Sequence, residues 1–304
     1  MSRARDIADS AGQGGGASNL IINGSMEVAQ RGTSSTSSGY VSLDRWYVNQ
    51  SGGSTTFSQE TNSNPSETGG LQKYARLNVS TSSDFTSIRQ PIEDVTSVPA
   101  GTVTISFYAK GTAPTGGLYI WGTQDFGTSG SSDVDITPVL ITASLTSSWV
   151  RYTAQITIPS IDGKTINDGS FVKFNIGQYS NTGTTAYDLN ITGVQLEAGN
   201  KATDFERRSF GDELARCQRY FRNFIGSDSS AVAHMPPKYS GNNGHWLTIL
   251  LDPEMRAAPT VTSSSWQNVQ PTFYNSNPRD ITFQHASSSF YSDTNTVFTA
   301  EAEL

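Results

Sequence analysis

The chain has 304 residues, of which 35% are hydrophobic and 15% are charged. This length is enough for two ordinary domains or for one large β domain with an appendage. The formal net charge of −7 and the lack of any basic run argue against a nucleic-acid partner, because neutralising phosphates requires clustered Lys and Arg. With a single cysteine, Cys217, the chain cannot form an intrachain disulfide or a cysteine metal cluster.

The N-terminal segment predicts a polar arm. "MSRARDIADS" has no apolar core of the kind that a signal peptide needs, and glycine-rich residues follow it up to residue 18. Such a segment buries too little surface to offset its ordering entropy. The longest apolar run, "WLTILL", is far shorter than the roughly 20 residues that cross a bilayer. We therefore expect synthesis in a cytosol without membrane insertion.

From Asn19 the sequence predicts an all-β fold. "NLIING" is apolar and ends in an Asn-Gly turn signal, and segments such as "KYARLNVS", "GLYIWGTQ" and "WVRYTAQITIP" alternate between polar and apolar residues. "TVTISFYAKG" places Val103, Ile105, Phe107 and Ala109 on one face. Many short strands separated by Gly, Ser, Asn and Pro indicate a jelly-roll β-sandwich over residues 19–206.

A linking α-helix is predicted over residues 207–226. Ser209 precedes an acidic first turn with Asp212 and Glu213, and Gly226 marks the expected end. Apolar residues recur at spacings of four and three and predict a helix seam of Phe210, Leu214, Cys217, Phe221 and Phe224. The seam fits either packing on β structure or a meeting of three copies around an axis. Cys217 is interpreted as a small buried hydrophobe.

A smaller C-terminal β domain is predicted over residues 227–304. "GHWLTILLD", "PTFYNS", "DITFQHA" and "TVFTAEAEL" again read as strands. A unit of this size is marginal on its own. We therefore expect it to gain stability from the first domain or from symmetry-related copies.

An ordered series of motifs resembles a group of bacteriophage virion proteins. The series consists of "NLIINGSMEVAQRGTS", "QDFGTSGSSDV", "SSWVRYTAQITIPSIDGKTI", "ITGVQLEAGNKATDFERRSFGDELARCQRYF" and "DPEMRAAPTVT". These proteins are tail fibres or minor structural proteins with a jelly roll similar to carbohydrate-binding modules. The leader "MSRARDIADS" is similar to the start of tail-fibre-like proteins from marine phages. The resemblance implies attachment to a virion and contact with a glycan.

The resemblance leads to several expectations about partners. Residues 1–18, with Arg3, Arg5, Asp6 and Ile7, are expected to bind other virion proteins of the tail or the capsid. A homotrimer is expected because several weak sites together hold a surface longer than one. The expected location is the virion, assembled in the host cytoplasm. The leading hypothesis is a tail fibre or adhesin. The alternatives are a head fibre or capsid decoration (cement) protein, and a polysaccharide-degrading tailspike.

Aromatic side chains are the candidates for glycan contact, because their rings can stack on the apolar faces of pyranose rings. The sequence contains five tryptophans, Trp46, Trp121, Trp149, Trp246 and Trp266. Trp46, Trp149 and Trp121 are interpreted as core residues. Trp266, Tyr274 and Tyr291, in the C-terminal domain, are the predicted glycan contacts.

No catalytic centre or cofactor is predicted. The three histidines have no metal-ligand spacing, and G-x-S-x-G, P-loop and dinucleotide motifs are missing from the sequence. Jelly rolls of the resembled type often carry a structural calcium, for which Glu27 and Asp188 are the candidate ligands. No two acids are paired by a recognisable motif, so we expect a binding protein and not an enzyme.

Overall fold

The structure is a computed structural model, which describes residues 19–81, 85–179, 186–225, 240–241, 244–263, 272–285 and 297–304. The chain divides into two compact units. The first comprises Met1–Phe210 with Leu304, and the second comprises Gly211–Glu303. Among the described residues, no helix combines the length and the apolar character needed to span a membrane.

The first unit is a β-sandwich of two antiparallel sheets. The six-stranded sheet contains, in order, β1 (Ser34–Ser35), β3 (Ser54–Thr61), β4 (Lys73–Thr81), β11 (Tyr187–Ala198), β6 (Gly101–Gly111) and β9 (Val150–Ile158). The five-stranded sheet contains, in order, β2 (Tyr47–Ser51), β5 (Phe85–Glu93), β10 (Phe171–Gly177), β7 (Leu118–Asp125) and β8 (Val134–Thr142). Consecutive strands mostly alternate between the sheets, as in a jelly roll. The predicted all-β sandwich is confirmed.

Side-chain alternation along the strands builds the core between the sheets. The predicted inward residues Val103, Ile105, Phe107 and Ala109 of β6 are all buried. In β7 the buried and half-buried positions alternate along the whole strand. Each strand therefore directs one set of side chains into the core and the other set outward.

Strands β1, β3 and β5 were not predicted from the sequence, and one segment predicted as β structure is not a strand. β3 and β5 are rich in polar residues, and β5 also contains Pro91, so neither shows the apolar alternation of its neighbours. "NLIING" is not a strand, although Leu20 N–H donates to Leu196 O at 3.0 Å. Two short 3-10 helices, Pro65–Thr68 and Val95–Ser97, complete the unit.

The second unit contains one short helix and two small antiparallel sheets. The helix is α1 (Phe210–Gln218). The three-stranded sheet contains, in order, β12 (Phe221–Ile225), β18 (Val297–Glu301) and β15 (Thr260–Ser263). The four-stranded sheet contains, in order, β13 (Ser240–Gly241), β14 (Gly244–Leu250), β17 (Asp280–His285) and β16 (Thr272–Asn277). Helix residues from Gly211 onward group with these sheets.

The predicted extent of the helix, 207–226, is wrong. The helix ends at Gln218, and Phe221 and Phe224 lie in β12, where they pair with Glu301 and Phe298 of β18. An aromatic-rich segment has high strand propensity, and pairing with β18 satisfies its backbone. The acidic first turn, Asp212 and Glu213, is confirmed.

The predicted seam does not form along α1. Phe210 is 55% exposed and Leu214 is half-buried, whereas Cys217 and Glu213 are buried, one turn apart. The buried face of α1 is therefore the Glu213–Cys217 face. Burial of Cys217 agrees with its interpretation as a small hydrophobe.

Candidate functional site

A cleft of about 450 Å³ lies on the outer face of the five-stranded sheet, which is the face turned away from the core. All five strands of that sheet, or the residues directly following them, contribute to it. Its lining residues are Asn49, Arg89, Trp121, Gly122, Thr123, Asp135, Ile136, Thr137, Pro138, Lys173, Asn175 and Tyr179. The cleft is therefore a property of the whole sheet and not of a single loop.

Strand register brings the central residues of the cleft side by side. Asn175 of β10 pairs with Arg89 of β5 on one side and with Trp121 of β7 on the other. Paired residues in antiparallel strands share a face, so these three side chains form one row across the sheet. Lys173 and Thr123 pair in the next row toward Asp135 of β8.

The aromatic part of the cleft is made by Trp121 and Tyr179, and Tyr119 packs against Tyr179. The rings of Trp121 and Tyr179 meet edge to face with centroids 5.4 Å apart, and those of Tyr119 and Tyr179 are 5.8 Å apart. Tyr179 is 48% exposed. The Trp–Tyr pair thus holds both rings in place while one of them remains open to solvent.

The interpretation of Trp121 as a core residue is wrong. In β7 the side chains of Leu118 and Ile120 are fully buried in the core, which places the odd-numbered residues, Trp121 among them, on the outer face. The alternation of "LYIWGTQ" carried this signal. Tyr179 follows the end of β10 in an irregular segment, so no periodicity pointed to it.

Arg89 is positioned by stacking. Its guanidinium carbon lies 4.0 Å from the centroid of the Tyr47 ring, and Tyr47 meets Tyr40 edge to face at 5.2 Å. Stacking of this kind attracts a cation and restricts its rotamers. The donor groups of Arg89 are therefore oriented before a ligand arrives.

Asn175 lies at the floor of the cleft. It is 4% exposed, and no described residue forms a hydrogen bond with its side chain. Its amide is not among the fully buried polar groups that lack a partner, so its donors and acceptor can bond to water or to a ligand in the cleft. Beside it, Thr123 Oγ1 donates to Asp135 Oδ1 at 3.4 Å.

The other tryptophans that the structure describes are core residues, as predicted. Trp46 is 1% exposed and its Nε1 donates to Asn23 O at 3.0 Å. Trp149 is 7% exposed and its Nε1 donates to Asn62 Oδ1 at 3.2 Å. Their indole N–H groups are satisfied inside the protein, so neither offers a platform to a ligand.

Several predicted site residues lie outside the described part of the chain. They are the arm residues Arg3, Arg5, Asp6 and Ile7, and Trp266 and Tyr291. Tyr274 belongs to β16, but its side chain is also outside the described set. The predicted arm and the predicted C-terminal glycan contacts therefore stay predictions.

The residues present do not fit the expected calcium site. Both carboxylate oxygens of Asp188 accept hydrogen bonds from Arg76, at 2.8 Å from Nη2 and 2.9 Å from Nε. The backbone oxygens of Met26 and Glu27 accept from Gln59 Nε2 at 2.7 and 3.0 Å. Within the described residues, no three His, Cys, Asp or Glu side chains are grouped as metal ligands. Asp188 is therefore part of an ion pair.

Comparisons with known proteins identify no family for the chain. No family model matches the chain, and no curated protein matches it. Among solved structures, the enzymatically active domain of bacteriophage CBA120 tailspike protein 4 matches at 13% identity and a TM-score of 0.33, over 59% of this chain and 21% of that one. The chain thus spans about a fifth of the tailspike domain.

Two carbohydrate-binding domains match over nearly their whole length. The CBM22-1 xylan-binding domain of Paenibacillus barcinonensis Xyn10C matches at 15% identity and a TM-score of 0.35, over 61% of this chain and 97% of that one. The family 11 carbohydrate-binding module of Clostridium thermocellum matches at 10% identity and a TM-score of 0.34, over 56% and 98%. The assignment of a β-sandwich rests on the strand pairings of the chain itself.

Proposed function

We propose that the first unit binds a glycan in the cleft of the five-stranded sheet. The observation that carries this proposal is the combination of an outward Trp121–Tyr179 pair with the Asn175 amide, which no described residue bonds, in the same cleft. A pyranose ring has apolar C–H faces and a rim of hydroxyls. It therefore needs an aromatic surface and several fixed hydrogen-bonding groups at once.

The polar residues of the cleft suit sugar hydroxyls. Asn49, Asn175 and Thr123 offer both donors and acceptors, and Arg89 offers donors in a fixed plane. An apolar ligand would leave these groups without partners, which costs free energy. A ligand rich in hydroxyls satisfies them.

The cleft supports binding more than hydrolysis. Glycoside hydrolysis uses two carboxyl groups that flank the scissile bond. Among the described residues that line the cleft, Asp135 is the one carboxylate. We therefore propose a binding role for this site.

The test is a comparison of Trp121→Ala with Phe210→Ala in polysaccharide binding, measured by affinity electrophoresis and calorimetry. Phe210 is 55% exposed and lies outside the cleft, which makes it a matched aromatic control. Loss of the Trp121 platform is expected to weaken binding about tenfold or more, while the control binds as the parent does. Equal binding by all three proteins would reject the proposed site.

We further propose that the chain is a phage virion protein. The favoured form is a tail fibre or adhesin that presents the glycan-binding face to the host surface. The support is the resemblance of the ordered motifs to such proteins. Residues 1–18 would bind the particle, and a homotrimer would multiply weak glycan contacts. Deleting residues 1–18 is expected to give a folded protein that does not enter particles, and normal incorporation would reject the anchoring role.

A head fibre or capsid decoration protein is the second candidate, because the same resemblance covers modules on capsids. Antibody labelling of intact particles separates the two locations: label at the tail supports the fibre, and label on the head supports decoration. If the purified protein shortened host polysaccharide on incubation, it would be a polysaccharide-degrading tailspike, and both proposals would be rejected.

A further inference from the structure

Three charged side chains line the cleft, and none has an ion-pair partner among the described residues. They are Arg89, Lys173 and Asp135. Elsewhere in the same unit, Arg76 and Arg151 each lie near a carboxylate, at 2.8 and 3.8 Å. Arg89 and Lys173 thus place two cations without a described ion-pair partner in one cleft, in a chain of net charge −7.

The two cations are neighbours on the sheet. Arg89 pairs with Asn175, and Lys173 lies two residues from Asn175 on the same face of β10. Diagonal neighbours of this kind are about 7–8 Å apart at their α-carbons, within reach of long side chains. In the structure the guanidinium of Arg89 lies over Tyr47 of β2, and Nζ of Lys173 lies 6.0 Å from the centroid of the Phe171 ring. Both side chains are long, so a bound anion can draw the two cations toward itself.

Charge is unevenly distributed across the cleft. The cations belong to β5 and β10, Trp121 belongs to β7, and Asp135 belongs to the edge strand β8. At the usual spacing between strands, Asp135 lies about 14 Å from the strand of Arg89. An anion is attracted at one end and repelled at the other, and this orients a charged ligand.

On these grounds, and resting on the glycan-binding function proposed above, we propose that the ligand is an acidic glycan. A carboxylate or sulfate on one sugar unit binds between Arg89 and Lys173, while a neighbouring sugar ring stacks on Trp121 and Tyr179. A planar carboxylate matches the paired donors of a guanidinium. A phosphodiester ligand is disfavoured because of Asp135 and the negative net charge.

The experiment measures binding of the full chain to four probes: polygalacturonate, a sulfated galactan, a neutral galactan and a single-stranded oligonucleotide. We expect at least one acidic polysaccharide to bind about tenfold more tightly than the neutral one, because hydrogen bonds to charged groups are the stronger ones. This preference should fall at 1 M salt, where charges are screened within about 3 Å. The two acidic probes distinguish carboxylate from sulfate.

Charge variants test the residues. Arg89→Gln and Lys173→Gln are each expected to weaken binding of the acidic probe about tenfold and to weaken binding of the neutral probe less. Asp135→Asn is expected to tighten binding of the acidic probe. Lys201→Gln, at an exposed position outside the cleft, changes the net charge equally and is expected to have no effect. Thermal unfolding of each variant confirms that it is folded.

Four outcomes would overturn the inference. They are equal or tighter binding of the neutral galactan, Arg89 and Lys173 variants that behave like Lys201→Gln, a preference for the oligonucleotide, and no binding of any polysaccharide. The first two leave the proposed glycan function intact. The last rejects that function as well.

Discussion

Tyr187 joins the two sheets of the sandwich through one buried hydrogen bond. Its hydroxyl, at the start of β11, donates to Thr86 O of β5 at 3.0 Å, and the residue is 2% exposed. Burial raises the pKa of Tyr187 well above its ordinary value, because the phenolate is poorly solvated there. The folded state thus requires the neutral phenol.

This linkage predicts an alkaline loss of stability. Because the folded pKa is raised, the contribution of Tyr187 is fully present below the unfolded pKa of about 10 and decreases as the pH rises beyond it. Tyr187→Phe removes that decrease and, at pH 7, costs about 1 kcal/mol for the lost hydrogen bond. Urea unfolding at pH 7 and pH 11 measures both. A decrease of the same size in the parent and the variant would contradict this role.

At the residue scale the sequence predicted the core better than the cleft. Inward positions such as Phe107 and Trp46 were found because burial requires an apolar residue there. Trp121 was assigned to the core from its residue type alone. Tryptophan occurs on both faces of a sheet, so residue type does not decide which face it occupies. Arg89 and Asn175 could not be predicted as neighbours, since strand register between β5 and β10 depends on the whole sheet.

At the element scale, a glycine bulge shapes β11. Gly193 has a φ of +63°, and the register between β11 and β6 shifts between Thr192 and Gln195. The bulge lets Val194 N–H donate to Gly24 O at 3.0 Å, which fixes the entry segment of the chain. A Cβ at Gly193 would lie 2.8 Å from Leu71 Cδ1.

Gly193→Ala is therefore expected to destabilise the first unit by about 1–3 kcal/mol through backbone strain and overlap. Gly163→Ala is the matched control, because its φ is also positive, at +72°, but its added Cβ contacts nothing within 4 Å. Gly163→Ala should lose only the part of the unfolding free energy that comes from backbone strain. Denaturant unfolding compares the two, and an equal loss would show that the contact at the bulge is unimportant.

The second unit depends on its central strand, β18, which pairs with both β12 and β15. Ala300 in β18 is fully buried, and so is Cys217 of α1. Ala300→Asp would bury an unpaired carboxylate, which costs several kcal/mol or forces local unfolding. The thiol of Cys217 should then react rapidly with a thiol reagent, whereas in the parent it reacts only after denaturation.

A control and a counter-result complete this test. Thr262→Asp, at an exposed position of β15, should leave the thiol protected. If Cys217 of the parent reacted at the rate of a free thiol, the assignment of a buried Glu213–Cys217 face would be wrong.

The helix shows where periodicity fails as a predictor. Apolar spacings of three and four continue through Phe221 and Phe224, but pairing with β18 makes these two residues part of a strand.

At the scale of the whole molecule, the chain combines a large sandwich that carries the cleft with a smaller β unit. The two-unit organisation was predictable from the recurring strands and the single helical segment. The position of the proposed glycan site was not predictable, because the candidates in the sequence were aromatic residues of the second unit, Trp266, Tyr274 and Tyr291. The cleft instead assembles from five separate strands of the first unit.

The most direct test follows the indole N–H signals of the five tryptophans by NMR while oligogalacturonate or a neutral galacto-oligosaccharide is added. Trp121→Phe assigns the key signal. We expect the Trp121 signal to shift until the site is saturated, while the signals of the buried Trp46 and Trp149 stay in place. A Trp121 signal that does not move, with a shift at Trp246 or Trp266 instead, would place the glycan in the second unit and contradict the account.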